Sequence, residues 1–307
     1  MTGNHMAHPL LISLANIIAG FWQKSSHEAF ILLALLPVPK FIHQNMFTKG
    51  THGLLSNCLT HECLNFVLKP LKIYTSIGIM MSDPLGNLWY LFTPCATYIV
   101  DAQEAVMLSG VAGKTSHLTL ADYRQFGDDF RHPPRTAAIT LEQRKQILQN
   151  PDPADLNLYI WEAMKYWLNG VDQLFWRDWP SAKPSTFFMP KPLHHWHKAF
   201  WDHNVKWCIQ VIGAEEINFR FLLLLHCAGF WQFKEGISKL KQVTRREHHN
   251  IEQYMVLTIE GAVTKGFLIA IRALMDFCYL ALTPEIDNNT YGLINCTLKE
   301  FQAWNAT

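Results

Sequence analysis

Residues 190–208, PKPLHHWHKAFWDHNVKWC, constrain the rest of the chain most, because apolar and polar residues are sorted onto separate faces at helical spacing. Leu193, Trp196, Phe200, Trp207 and Val211 recur by threes, fours and one doubled turn, which on an α-helix makes a single apolar stripe. The spacing predicts one amphipathic helix over 192–211 with Trp196, Phe200 and Trp207 inward, and Pro192 suits its first turn. His194, His197 and Trp201 fall on a neighbouring face, and His195, Asp202 and Lys206 on the opposite side. Imidazoles at i and i+3 can share a metal or a phosphate, so His194 and His197 are candidate metal ligands; locally paired, half-buried histidines are the commoner arrangement. Asp202 and Lys206 are spaced for a local ion pair.

A chain of 307 residues, 49% of them hydrophobic, has material for one large core or two ordinary ones. Eleven tryptophans point to large buried side chains or an interaction surface. With a net charge of only +1, binding of a polyanion requires a local patch and not a global field. The seven cysteines are odd in number, spread out and set in apolar runs without a CxxC pair, which reads as reduced core thiols in an intracellular protein. Asn288, Asn295 and Asn305 begin N-x-T sequons that matter only after secretion. Residues 9–22 resemble a signal segment but lack a preceding Lys or Arg, and the apolar runs 29–38, 219–225 and 267–282 are short or interrupted against the roughly 18 to 20 residues a membrane helix needs. A soluble chain with no membrane partner is expected.

Residues 9–18 and 29–38 read as buried strands of an α/β sheet, or as a strand and a short helix. Residues 47–71 suggest a helix or two before Pro70, and the turn signal 82–87 ahead of β-rich 88–92 and 96–100 predicts a hairpin around Asp83. Asp101 closes a strand-like run and caps a helix through Ser109. Gly110-Val-Ala-Gly113-Lys114-Thr115 has two residues between its glycines where a Walker A loop has four, so a tight turn and no nucleotide is expected. The Asp-, Gly- and Pro-rich 125–135 marks a boundary, and 141–148 and 153–169 are helical by period. Trp176 and Trp179, flanking Arg177 and Asp178, make either a base-stacking platform or, more usually, a packed aromatic corner. Lys234, Lys239, Lys241, Arg245 and Arg246 form the cationic concentration, a solvated helix face that also has what phosphate contacts require. Residues 267–282 read as a buried helix with Arg272 and Asp276 spaced to pair, and 287–307 as a fraying helical end.

Five blocks carry a family resemblance: DPLGNLWYLFTPCATYIVDAQEA, GVAGKTSHLTLADYRQFGDDFRH, LNGVDQLFWRDWP, PKPLHHWHKAFWDHNVKWCI and FKEGISKLKQVTRREH. In this order they resemble the Plavaka family of fungal DNA transposases, relatives of CACTA-like cut-and-paste elements of the DDE type. The resemblance implies an α/β fold, with an incomplete ribonuclease-H-like part over 1–125 and a mostly helical transposase region over 126–307. It also implies Mg²⁺ held by carboxylates, DNA as partner and a nuclear location.

The family's first aspartate precedes the segment matching Gly3, its last glutamate follows the helix matching Leu298 to Trp304, and Lys191 stands at the middle acidic position. Relatives carry a CxxC where this chain has Thr115 and Leu118. The expectation is therefore a truncated, catalytically inactive copy, in which Asp101 and Asp202 are residual catalytic candidates and any DNA binding is weak and non-specific. A domesticated DNA- or protein-binding module is the alternative, and a metal-dependent nuclease using His194, His197 and Asp101 is a third reading.

Overall fold

The structure, a computed structural model, describes residues 6–22, 24–41, 49–149, 155–189, 198–224, 233–241 and 243–304. The chain divides into two compact units, Met1–Met189 and Pro190–Thr307. The loop 125–135 runs inside the first unit. Helices dominate, and two small antiparallel sheets make the fold mixed α and β.

In the first unit β1 (Ala7–Ile12) pairs antiparallel with β2 (Ile31–Pro37), with a bulge between Leu10 and Leu11. Helix α1 (Ala19–Trp22) and a 3₁₀ turn (Ser25–His27) lie between them. The expectation of buried strands is corrected here. Leu36 reaches the core, whereas Leu11, Ile31, Leu32, Leu33 and Leu35 are exposed. Strands apolar on both faces belong between two covering layers, and among the described residues this pair is covered on one side only.

Helix α2 (Lys49–Ile77) continues through Pro70, where the sequence reading ended it. A proline in a helix interior removes one hydrogen bond and costs about 3 kcal/mol. Burial of Leu64 and Leu68 offsets this at roughly 1.5–3 kcal/mol each. Beyond the proline, the Thr75 hydroxyl donates to Leu71 O at 2.8 Å and accepts from Trp179 Nε1 at 2.9 Å.

The hairpin expected around Asp83 is present as β3 (Ile79–Ser82) and β4 (Leu88–Leu91). Asp83 Oδ1 accepts from the amides of Leu85 and Asn87, both at 2.9 Å. Its Oδ2 accepts from Trp89 Nε1 at 3.0 Å and Asn87 Nδ2 at 2.9 Å. The bonds from these two side chains hold the carboxyl down at about 2. Residues 96–100 form no strand; Tyr98 makes only an isolated bridge to Phe188.

Helix α3 (Ala102–Ser109) starts on Asp101 and stops at Gly110, whose φ of 85° suits glycine. Its last carbonyls are taken by side chains. Met107 O faces His61 Nε2 at 3.3 Å and Asn169 Nδ2 at 2.9 Å, and Leu108 O accepts from Trp176 Nε1 at 2.9 Å. His61 Nδ1 accepts the Phe175 amide at 3.1 Å, so the buried ring is held neutral, and burial pushes its pKa down to about 4. Trp176 and Trp179 are thus a packed aromatic corner with Phe175, Phe187 and Phe188, not an open platform. Helices α4 (Ala137–Gln149), α5 (Leu156–Lys165) and α6 (Pro184–Phe187) are the remaining helices among the described residues of the unit.

In the second unit a π-helical segment, Phe200–Val205, leads into α7 (Lys206–Ile212). Part of the stripe predicted over 192–211 is corrected: Phe200 is buried but Trp207 is 44% exposed and Val211 is exposed, while Trp201, Val205 and Cys208 face inward. Each residue in an i→i+5 turn advances less around the axis than the about 100° of an α-helix, so everything after the π segment is rotated relative to the expected face. Leu193 and Trp196 lie outside the described residues.

Helices α8 (Ala214–Leu222), α9 (Arg245–Ile259) and α10 (Lys265–Ala281) supply most of the rest of this core, with Ile217, Phe221, Ile251, Met255 and Ile271 buried, and Phe233 and Ile237 join it from the turns 233–241. The end is helical as expected, but α11 (Asn288–Trp304) is a continuous helix packed on α10 and does not fray over these residues. Arg272 reaches Glu300 on it at 2.5 Å and forms no ion pair with Asp276. No helix among the described residues is long and apolar enough to cross a membrane, and six of the cysteines are free thiols.

Candidate nucleic-acid interface

The cationic stretch is two structures joined together, not one helix. Residues 233–241 are successive turns, and α9 begins only at Arg245. Phe233 and Ile237 are buried and anchor the turns, which leaves Lys234, Lys239 and Lys241 exposed. Asn218 on α8 sets the local shape. Its Oδ1 accepts from the amides of Ile237 and Ser238, both at 2.9 Å, and its Nδ2 donates to Ser238 Oγ at 2.8 Å. Gly236 sits at φ 74° with its Cα facing Asn218, a position closed to any residue with a Cβ.

Thr244 then starts α9 with a capping box: Thr244 Oγ1 accepts from Glu247 N at 3.3 Å and Glu247 Oε2 from Thr244 N at 2.7 Å. Exposed Arg246 in the first turn runs against the helix dipole, which Glu247 offsets. His248 turns inward and meets the Trp201 ring edge to face, with centroids 5.9 Å apart. Arg220 fastens the other end of α9, donating to the carbonyls of Thr258 at 3.1 Å and Glu260 at 2.7 Å. The anchored turns and the capped start of α9 leave Lys234, Lys239, Lys241 and Arg246 exposed, the side-chain types that phosphate contacts use.

The residual catalytic candidates are engaged elsewhere. Asp101 accepts the Glu104 amide at 2.8 Å as the cap of α3. Asp202 is paired with Lys198 and, at 3.2 Å, with Lys206. Partial burial pushes its carboxyl up, but the bonds from the two lysines prevail and hold it below the usual range. The two aspartates belong to different compact units. A carboxylate that caps a helix and one neutralised by two ammonium groups do not fit the converging hard-oxygen set that Mg²⁺ requires. Among the described residues no group of three or more His, Cys, Asp or Glu could hold a metal. His194, His197 and Lys191 lie outside the described residues.

Sequence reasoning missed Asn218 and Gly236, which shape the interface. The alternation of Phe233, Ile237 and Leu240 with the lysines was a usable sign of an anchored turn. Nothing in sequence ties Asn218 to Ile237.

The Plavaka transposase family model matches residues 1–208, a span that includes Asp101 and Asp202 and ends before the basic turns. No curated protein and no solved structure matches the chain.

Proposed function

The chain belongs to the Plavaka transposase family, and from that premise we propose that it is a transposable-element-derived protein that holds DNA and does not itself cut it. The observation that carries the DNA contact is the turn pinned by Asn218, which leaves Lys234, Lys239 and Lys241 exposed just ahead of α9 in the chain. Transposases in general depend on divalent metal, and the engagement of Asp101 and Asp202 in local structure supports a non-catalytic role for this stretch.

The finer architecture belongs to the same proposal: 1–125 as an incomplete ribonuclease-H-like α/β part, and 126–307 as a mostly helical region. Support comes from β1 and β2, whose apolar residues on both faces suit strands of a doubly covered sheet. A nuclear location follows from DNA as partner. A second reading, a domesticated binding module, is favoured by the basic turns lying in a unit with its own core.

Titration of a labelled duplex tests the DNA contact. With about four phosphate contacts, the slope of log affinity against log salt is about −4, and alanine at Lys239, Lys241, Arg245 and Arg246 brings it towards zero. A slope unchanged by the four replacements removes the basic turns from the proposal. Incubation with supercoiled plasmid in Mg²⁺ or Mn²⁺ leaves the DNA intact. Nicking that tracks the protein and vanishes in Asp101→Asn overturns the non-catalytic reading.

A further inference from the structure

A second polar surface lies in the first unit, away in sequence from the basic turns. Tyr123 N donates to Lys114 O at 2.9 Å, and Ala112 N donates to Trp167 O at 2.8 Å, so three separate segments meet. The Arg124 guanidinium carbon lies 5.7 Å from the ring centroids of both Tyr123 and Trp167. Lys114 Nζ lies 5.4 Å from the Tyr123 centroid, and the two rings meet edge to face at 6.3 Å. Lys114 and Trp167 hold φ of 65° and 56°, a conformation disfavoured for residues with side chains.

Asp122, largely buried, fixes the Arg124 plane by accepting from Nε at 3.3 Å and Nη2 at 2.9 Å. The Nη1 edge has no partner among the described residues. Tyr123 and Arg124 remain exposed.

We propose that Lys114, Tyr123, Arg124 and Trp167 form a contact site for single-stranded nucleic acid, in which a base stacks on the Tyr123–Arg124 layer and flanking phosphates meet Lys114 and Arg124 Nη1. An unpaired base offers a flat π-face to aromatic rings and guanidinium planes, and a phosphate follows at each step of its backbone. A duplex keeps those faces stacked internally and cannot use the layer.

The charge around the cluster points the same way. Exposed Lys114, Arg124 and Arg131 are countered by Asp122 on Arg124, by Asp128 on His132 at 2.8 Å, and by exposed Asp129. The near balance makes stacking, not charge, the source of affinity here, in contrast to the basic turns. Exposed Phe126 and Phe130 on the same loop extend the choice of faces for neighbouring bases. This site goes beyond the DNA-holding role of the second unit and does not depend on it.

The test uses the full chain carrying Lys239→Ala and Lys241→Ala, so that the basic turns contribute less. Fluorescence anisotropy is read with a labelled oligothymidylate, an oligouridylate and a duplex of matching length. Both single strands are expected to bind with a salt slope of about −1.4, for two phosphate contacts. Tyr123→Ala lowers that affinity by about 5- to 150-fold, while Tyr123→Phe retains it and the duplex titration is unchanged. Arg124→Lys, which keeps the charge and loses the plane, falls between the two tyrosine variants. Absence of single-strand binding, equal loss in both tyrosine variants, or an equal loss of duplex binding overturns the proposal. Failure of the duplex salt test with success here would sink only the role of the basic turns.

Discussion

The β1–β2 hairpin and the aromatic corner 174–188 lie in the same compact unit and are built from similarly large apolar residues, yet they meet solvent very differently. In the corner Leu174, Phe175 and Phe188 are fully buried, whereas in the hairpin Ile31, Leu32 and Leu35 stand in water and only Leu36 is enclosed. The difference lies in the neighbours. The corner has α2 and α3 to cover it and acceptors at Leu108 O and Thr75 Oγ1 for its two indole N–H groups. The hairpin has apolar side chains on both faces and cover for one. Apolar composition shows which residues favour burial; a second layer decides which of them attain it.

The contrast breaks most sharply by mutation. Phe175→Ala should lower unfolding free energy by about 3–5 kcal/mol in denaturant titration, the cost of a cavity among packed rings. A loss below about 1 kcal/mol would mean that the corner is loosely filled.

Acid probes the same corner through His61. Its folded pKa of about 4 lies below the ordinary 6.5, so the unfolded chain takes up the proton more readily. The stability this ring contributes is complete above pH 6.5 and is lost as pH falls towards 4, by roughly 3 kcal/mol. In His61→Gln the melting temperature should vary less over that window. An unchanged pH profile would show that the ring titrates freely.

The smallest effects are expected where apolar residues face water. Trp207→Ala should cost less than about 1 kcal/mol, and Leu35→Ala should stay within about 0.5 kcal/mol, by the same denaturant titration. A loss above about 2 kcal/mol at Leu35 would show that the exposed face of the hairpin is covered in solution and would remove the contrast.

Local features were the legible ones. Asp83 in its turn and Asp101 at its cap act within a few residues of themselves, and a carboxylate that receives nearby amides needs no distant partner to be recognised. The tryptophan corner left a platform and a packed corner open in sequence, the packed one being the more usual, and the acceptors at Leu108 O and Thr75 Oγ1 that decide it lie far away in the chain. Long-range or geometric choices were not legible. The π segment at Phe200–Val205 preserves the sequence spacing of an α-helix while rotating Trp207 outward, so periodicity alone aimed that residue at the core. Arg272 had an acidic residue one turn away and found Glu300 on α11 instead, a partner that exists only once the two helices have packed. The candidate site was half legible: its lysines were apparent, and the scaffold that orders them was not.

Gly236 and Asn218 have a consequence for how this sequence can change over generations. Any side chain at 236 collides with the Asn218 side chain from its Cβ outward and is strained by the backbone besides, while losing the amide at 218 releases the two N–H groups that shape the turn. Neither position can be altered without changing the fitness effect of altering the other. Copies selected for the lysine-bearing turn will keep the two residues jointly, and copies drifting freely will lose them independently.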